Sequence, residues 1–457
     1  MEFISSTVKS VNGFMWDFLL LFLLVGTGIW FTIRLRGVQL RYIGKALKTT
    51  FGNFDLKGEA AGADGMSSFQ AVTTAIAAQV GTGNLAGAAT AIATGGPGAI
   101  FWMWVSAFFG MATNFAEATL AQKYKVKGDD GNVTGGPVYY IRAAYKGKLG
   151  KILSSLFAVF IILALGFMGN MVQANSIGDA FRNAFHINPV IIGVIIAIIS
   201  FFVFLGGVGR IASITEKLVP IMAGFYLLGC ALILVLNAGN LIPGIVSIFK
   251  GAFTSQAIFG GTVGTTVKLA IRYGVARGLF SNEAGMGSTP HSHALAKTYH
   301  PCEQGMAALV AVFIDTFVVL SMTALVIICT GVLDGAYASG ITLTQNAFNA
   351  GLGSFGYPFI AICMFFFAFS TIIGWYFFGE QNVRYLFGSK AVKPYALIVC
   401  ACIILGCMMD VDLVWAIADM FNGFMVIPNL LGLLAMSGVA SKLLKEFEAI
   451  EAKKNNK

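Results

Sequence analysis

Ala78-Gln-Val-Gly-Thr-Gly-Asn-Leu85 sets a Gly-x-Gly pair in the middle of an apolar run. A glycine in a helix interior costs about 1 kcal/mol relative to alanine. In a bilayer a broken helix also leaves amides and carbonyls with no water to satisfy them. Such a break persists where something polar binds it. Half-helix ends carry partial charges that suit an anionic group on one side and a cation on the other. The stretch therefore predicts a binding site near the midplane of a membrane protein.

Composition supports the membrane class. Of 457 residues, 57% are hydrophobic and 11% charged, against about 25% charged in soluble domains. Runs of about 20 apolar residues, the length that crosses a bilayer, recur along the chain. The first, Phe14 to Phe31, lacks a basic leader and a small-x-small cleavage site, and Arg34 and Arg36 follow it. It reads as a retained helix. A net charge of +9 would fit nucleic-acid binding, but the position of the charges argues against that. Arg34, Arg36, Arg41, Lys45, Lys48 and Lys57 cluster after the first span, and Lys123, Lys125, Lys127, Arg142, Lys146, Lys148 and Lys151 after the third. Lys442, Lys445, Lys453, Lys454 and Lys457 fill the tail, whereas Lys9, Arg182 and Lys250 fall on the other side. The positive-inside bias then predicts a multi-pass protein of the cell membrane, N-terminus outside and C-terminus cytoplasmic. The seven cysteines include no Cys-x-x-Cys pair, and His291 and His293 match no standard metal spacing, so neither a disulfide framework nor a zinc site is expected.

The expected architecture is all-α, with about eleven spans: 14–33, 68–93, 98–122, 152–181, 189–207, 215–237, 264–292, 306–331, 356–387, 394–410 and 413–440. Residues 1–67 form an N-terminal helix and a basic inner linker, with turn chemistry at Asp129 to Gly136 in a second inner loop. Beyond the first span, ten remain. The first five occupy 68–240 and the last five 264–440. Between them, 241–263 reads as an outer loop with an amphipathic surface helix, and 441–457 as a basic tail. Each set opens on a glycine-rich break, Gly81-Thr-Gly83 and Gly285-Met-Gly287. Five is odd, so the sets enter the membrane from opposite sides. Matching interrupted segments in inverted repeats are the best sequence pointer to a transporter's site.

Polar residues inside a membrane are functional candidates by default. The first break offers Thr73, Thr74, Gln79, Thr82 and Asn84, and the second Ser281, Asn282, Glu283 and Ser288. The fourth span adds Asn170 and Gln173, the ninth Ser370, Thr371 and Trp375. Free carbonyls with hydroxyls make a hard-oxygen cage for a small cation, and exposed amides at Thr82 and Gly83 make a carboxylate site. Taken alone, Ser370-Thr371 reads more readily as a pair bonded to its own helix carbonyls. Asn170 can equally be interhelical glue, and Gly-x-Gly a close-packing face. Acids within the spans are few: Glu117, Asp179, Glu216, Glu283, Asp315 and Glu380. Glu117 is placed to accept hydrogen bonds from amides freed at the second break, and Glu283 lies in that break. No carboxylate is expected beside the first break, which favours sodium over a proton as the coupling ion.

Gly95-Gly-Pro-Gly-Ala-Ile-Phe-Trp-Met-Trp-Val-Ser-Ala-Phe-Phe-Gly110 resembles the signature of the alanine or glycine:cation symporters. Gly278 to Ser288 and Thr371-Ile-Ile-Gly-Trp375 are similar to the same family, and the likeness covers nearly the whole chain. It implies a LeuT-like fold of two inverted five-helix repeats and uptake of alanine and glycine with sodium. Val80 to Leu85 resembles the unwound first core helix of the neurotransmitter:sodium symporters. That match implies carboxylate capture by the amides of Thr82 and Gly83, and amine contact with the carbonyl of Gln79. It also implies amine contacts from Phe280 and Ser281, with Met286 and Trp375 on the pocket wall. Asn170 stands where that fold has a tyrosine gripping the carboxylate. The shared sodium site is similar in pattern to the carbonyls of Ala77, Val80 and Phe367 with the hydroxyls of Ser370 and Thr371. A second sodium site would need the Asn84 side chain.

The expected activity is sodium-coupled symport of alanine or glycine, D-alanine included as a candidate, with no cofactor beyond the coupling ion. Proton-coupled symport or exchange is the alternative. The bilayer is the one other partner that can be read, and no nucleic-acid or protein partner is inferred. No charge ring recurs to support a channel, and no nucleophile–base pair to support an enzyme.

Overall fold

The computed structural model describes residues 2–52, 65–128, 131–254, 256–257, 264–265, 267–333, 340–409 and 411–455. Lys57 and part of the Asp129 to Gly136 turn lie outside them.

The chain is almost entirely helical. Helices α1 (Glu2–Phe14) and α2 (Leu20–Arg34) join through a π-helical turn. Arg36 and Gly37 then take positive φ, and α3 (Val38–Gly52) leaves at 79°. Part of the expected basic linker is therefore a helix. Arg41 on α3 reaches Glu448 at 2.7 Å and Lys45 pairs with Glu451, both on the tail helix.

The first broken span is α4 (Ser68–Gln79), a π-helical turn at Gly83–Gly87 and α5 (Ala88–Gly95). Ser67 starts α4 with a reciprocal capping box, its hydroxyl accepting from Gln70 N and its amide donating to Gln70 Oε1, both at 3.1 Å. There follow α6 (Gly98–Lys123), a two-strand hairpin, α7 (Pro137–Ala144), and α8 (Gly147–Ile161) running through a π segment into α9 (Asn170–Phe185). Helices α10 (Pro189–Leu205), α11 (Gly207–Leu236) and α12 (Leu241–Phe253) come next. The second broken span is α13 (Val267–Asn282) and α14 (Pro290–Leu295). It leads to α15 (Pro301–Val312) and α16 (Ser321–Cys329), again joined by a π segment, then α17 (Gly340–Leu352) and α18 (Gly356–Phe387). Helices α19 (Val392–Gly406), α20 (Val411–Ala435) and α21 (Ser437–Asn455) close the chain.

Counterparts in the two sets pack on each other: α6 on α15, α9 on α18 and α10 on α19. Seven helical segments among the described residues are long and apolar enough to cross a bilayer unbroken, and the bent α2–α3 pair makes eight. The remaining expected spans fail that length test for visible reasons. Two are the segments interrupted at the breaks, and α10 has only 17 residues. Ile195, Ile198, Phe202, Leu397, Ile398 and Leu405 on α10 and α19 are at least 45% exposed. An apolar belt of that kind suits lipid tails and would be a liability in water. By contrast, α18 buries nearly every residue from Phe367 to Val383, so it is the central post against which both breaks rest.

Candidate functional site

The first break is a crossing point. Val80 N makes the last regular bond of α4, to Ile76 O at 2.7 Å. Two side chains then cap the freed amides: Asn84 Oδ1 accepts from Gly81 N at 3.0 Å and Gln173 Oε1 from Thr82 N at 3.1 Å. Neither Gly81 nor Gly83 has positive φ, so close approach is what demands glycine. A Cβ on Gly83 would stand 2.8 Å from Ser281 Cα, and one on Gly81 would collide with the Thr371 hydroxyl. The two glycines let the broken helix touch α13 on one side and α18 on the other.

The second break turns through left-handed backbone at Glu283 (φ 56°), Gly285 (87°) and Gly287 (81°). Only glycine takes that conformation without penalty, so Glu283 carries strain at this point. Its carboxylate accepts from the indole N–H of Trp375 at 2.5 Å and from the hydroxyl of Ser288. Glu117 takes the role expected of it, accepting from Gly285 N at 3.0 Å and from Asn429 Nδ2 at 2.6 Å. Gln79 Nε2 donates to Asn282 O at 2.6 Å and ties the two breaks together.

The five oxygens expected to hold sodium converge. Thr371 Oγ1 lies 2.9 Å from Ala77 O, 3.0 Å from Phe367 O and 3.4 Å from Val80 O. Ser370 Oγ lies 2.8 Å from Phe367 O and 3.3 Å from Ala77 O. Oxygens about 2.4 Å from a hard cation stand about 3.4 Å apart when at right angles. The set fits a sodium ion after its hydroxyls turn their protons away and the shorter contacts widen by a few tenths of an ångström.

The residues expected to bind substrate are all buried. Phe280 meets Trp375 edge-on, ring centroids 5.6 Å apart, and Gly169 makes room for the indole, since a Cβ there would stand 2.5 Å from its Cζ3. Met286 is 1% exposed within the second break. Asn170 Nδ2 donates to Gly166 O at 3.0 Å. Among these substrate-site residues three buried oxygens have no hydrogen-bond partner within the described residues: Gln79 Oε1, Thr82 Oγ1 and Asn170 Oδ1.

One expectation is overturned, because a carboxylate does sit beside the first break. Asp315 Oδ1 accepts from Asn84 Nδ2 at 2.7 Å, and both its oxygens accept from Ser281 Oγ at 3.0 Å. Thr316 Oγ1 adds a further bond at 2.9 Å. Asp315 and Asn84 are 231 positions apart, and the π segment Phe313–Leu320 carries the acid to this contact. The signal available in the sequence was an ionisable residue inside a span.

Two cavities border the broken spans, one lined in part by Ala86 of the first and the other by Leu295 of the second. One, of about 540 Å³, is lined by Lys9, Asn12 and Trp16 with residues of α13 and α20. The other, of about 670 Å³, is lined by the hairpin, Arg142 and the end of α18. Gln79, Thr82, Phe280, Ser281 and Trp375 line neither, and all five are buried.

Residues 1–457, the whole chain, match the model of the sodium:alanine symporter family. The chain belongs to the sodium:alanine symporter family. It is 44% identical to the sodium/alanine symporter AgcS of Methanococcus maripaludis over 98% of each chain. It is 40% identical to a protein of Bacillus subtilis described as a probable sodium/glutamine symporter, GlnT, over 98% of this chain and 91% of that one. Among solved structures, MhsT in complex with L-phenylalanine superposes with a TM-score of 0.58 at 13% identity, covering 84% of this chain and 99% of that one. The sodium:alanine symporter family member described here thus has a LeuT-type fold, and is a multi-pass transporter and not an enzyme.

Proposed function

We propose that this chain imports small neutral amino acids, alanine and glycine with D-alanine as a further candidate, coupled to sodium. It lies in the cell membrane with its N-terminus outside and its C-terminus in the cytoplasm. The observation that carries this reading is that, of the residues expected to bind substrate, Gln79, Thr82 and Asn170 each keep a buried oxygen without a partner, Thr82 at the amide that Gln173 caps. A buried polar atom left unsatisfied costs about 1–3 kcal/mol. An α-amino acid supplies ammonium donors for such oxygens, and a carboxylate able to take the Thr82 and Gly83 amides once Gln173 releases Thr82. Trp375 and Phe280 limit the side chain to about a methyl group. Ala77, Val80, Phe367, Ser370 and Thr371 would hold the ion.

Transport proceeds by rocking of the broken-helix bundle against the remaining helices. One sodium ion crossing 100 mV gains about 2.3 kcal/mol, and a tenfold sodium gradient adds about 1.4 kcal/mol. Together they sustain about a 500-fold alanine gradient.

Asp315 favours a second reading, in which a proton carried by that carboxylate drives uptake. Alanine uptake into proteoliposomes under a sodium gradient, and then under a pH gradient without sodium, separates the two. Sodium-driven uptake is expected, persisting in Asp315→Asn at reduced rate. Uptake driven by pH alone, and abolished in Asp315→Asn, would replace sodium with the proton.

A further inference from the structure

The two broken spans are joined a second time, away from their crossing. Met66, two residues before α4, and Ala296, just after α14, form a parallel backbone bridge. Met66 N donates to Leu295 O at 2.9 Å and Lys297 N to Met66 O at 3.0 Å. A Cβ on Gly65 would stand 2.5 Å from Leu295 O, so the two strands of chain touch. Gln304 Nε2 adds a bond to Ser68 Oγ at 2.6 Å, and Lys125 Nζ one to Ala296 O at 3.0 Å. The bridge ties the start of the first broken span to the end of the second. Any movement that parts these two ends must break it.

The tail helix α21 grips the chain on both sides of this bridge. It follows α20 after the single residue Met436, and it buries Leu443, Leu444 and Phe447 while its lysines face water. Phe447 is 1% exposed and packs on His300, ring centroids 5.3 Å apart, and on Tyr42 of α3 at 6.3 Å. His300 in turn caps α15, its Nδ1 accepting from Cys302 N at 3.2 Å. Tyr299 donates to Glu451 Oε1 at 3.0 Å, and Lys454 Nζ lies 4.1 Å over the Tyr299 ring. On the α3 side Glu448 accepts from Arg41 at 2.7 Å and Glu451 pairs with Lys45. The tail therefore cross-links α3, upstream of the first break, to Tyr299 and His300, just beyond the bridge. The four paired side chains are 20–43% exposed, a setting in which ion pairs are individually weak. A short helix held at its far end by one buried ring and weak ion pairs can lift away without unfolding the core.

We propose that α21 is an autoinhibitory clasp: docked, it holds the bridged ends of the two broken spans together and slows their parting, and undocked, it frees transport. The proposal rests on the transport reading and the cytoplasmic C-terminus given above. The docked tail favours the closed arrangement, so weakening it moves population toward the parted one by the factor that was lost. A tail that only adds stability would leave transport unchanged or lower it when weakened. A clasp raises it. The sign of the change separates the two roles.

The test uses the full-length protein in proteoliposomes, with two readouts. Hydrogen exchange of peptides covering residues 65–68 and 296–300 follows the bridging amides of Met66 and Lys297, and initial alanine uptake under a sodium gradient follows transport. Phe447→Ala removes the anchor, and Glu448→Arg sets a like charge against Arg41. In each variant the two amides should exchange at least about fivefold faster, with α10 unchanged, because exchange reads local opening. Uptake should rise at least about twofold as the parted state gains population. Arg41→Glu combined with Glu448→Arg should return both readouts toward the parent values. Unchanged exchange in both single variants would overturn the clasp, and so would uptake equal to or below the parent. A reversed pair no closer to the parent than Glu448→Arg would also overturn it. Glu448→Arg alters only a partly exposed side chain, so it can be read even where Phe447→Ala does not fold. Faster exchange in a protein that takes up no alanine under any ion gradient would refute the substrate assignment and leave the clasp standing.

Discussion

Truncating Trp375 is expected to convert a methyl-sized pocket into one that accepts leucine. The indole is 1% exposed, donates to Glu283 Oε1 at 2.5 Å, meets Phe280 edge-on and fills the notch at Gly169. Trp375→Ala removes the wall facing the substrate side chain. Leucine carries three more carbons than alanine, and each buried methylene gains about 0.8 kcal/mol. The gain is about 2.4 kcal/mol, or about 60-fold in leucine affinity relative to alanine. Alanine itself loses contacts and should weaken about tenfold, roughly 1.4 kcal/mol. A large-to-small change in a packed core costs about 3–5 kcal/mol of stability, so the variant is first checked for a cooperative thermal transition. The assay is inhibition of labelled alanine uptake by leucine. Trp375→Phe serves as the comparator, because it keeps most of the wall and loses only the donor to Glu283, and leucine should remain excluded. A folded, alanine-active Trp375→Ala that still rejects leucine would refute the assignment of the indole to the pocket wall.

Gly83→Ala should weaken alanine binding by about 5- to 150-fold, the equivalent of about 1–3 kcal/mol of overpacking, because its Cβ would stand 2.8 Å from the Ser281 backbone; equilibrium binding measures this. Thr371→Val removes one of five converging oxygens and should raise half-saturating sodium about tenfold, read from uptake as a function of sodium at fixed alanine. Glu117→Gln replaces an acceptor that serves both Gly285 N and Asn429 Nδ2. One buried donor is then left unpaired, at about 1–3 kcal/mol, so Tm should fall by several degrees while alanine affinity changes little.

What the sequence disclosed was whatever has a local signature. Two glycine-rich breaks in matching places indicated the inverted architecture, since a broken helix in lipid needs a reason. The Ser370-Thr371 hydroxyls meet the carbonyls of Ala77 and Val80, and Glu117 caps the second break. The glycines at 81 and 83 had a further role that spacing alone could not assign, since their neighbours Thr371 and Ser281 come from distant helices. Asp315 was visible as an acid within a span, but its approach to Asn84 depends on a π-helical shift and on a contact across 231 positions. The Arg277–Asp419 ion pair spans 142 positions, and the Trp16 indole that donates to Asp419 O lies 403 positions from it. Helices α3 and α17 were missed for the opposite reason. Both are short, and α3 is amphipathic and rich in lysine and arginine, so neither produces an apolar run of spanning length.

The central claim is that sodium and a small amino acid share one site where the two broken helices cross. Binding partners that share a site are thermodynamically coupled, and the coupling is reciprocal. The most direct measurement is calorimetric titration of alanine into the purified protein, in saturating sodium and again with sodium replaced by choline at the same ionic strength and pH. The account predicts a Kd at least about 30-fold lower in sodium, a coupling of about 2 kcal/mol, and loss of most of that difference in Thr371→Val. An alanine Kd that is the same in sodium and choline would contradict it.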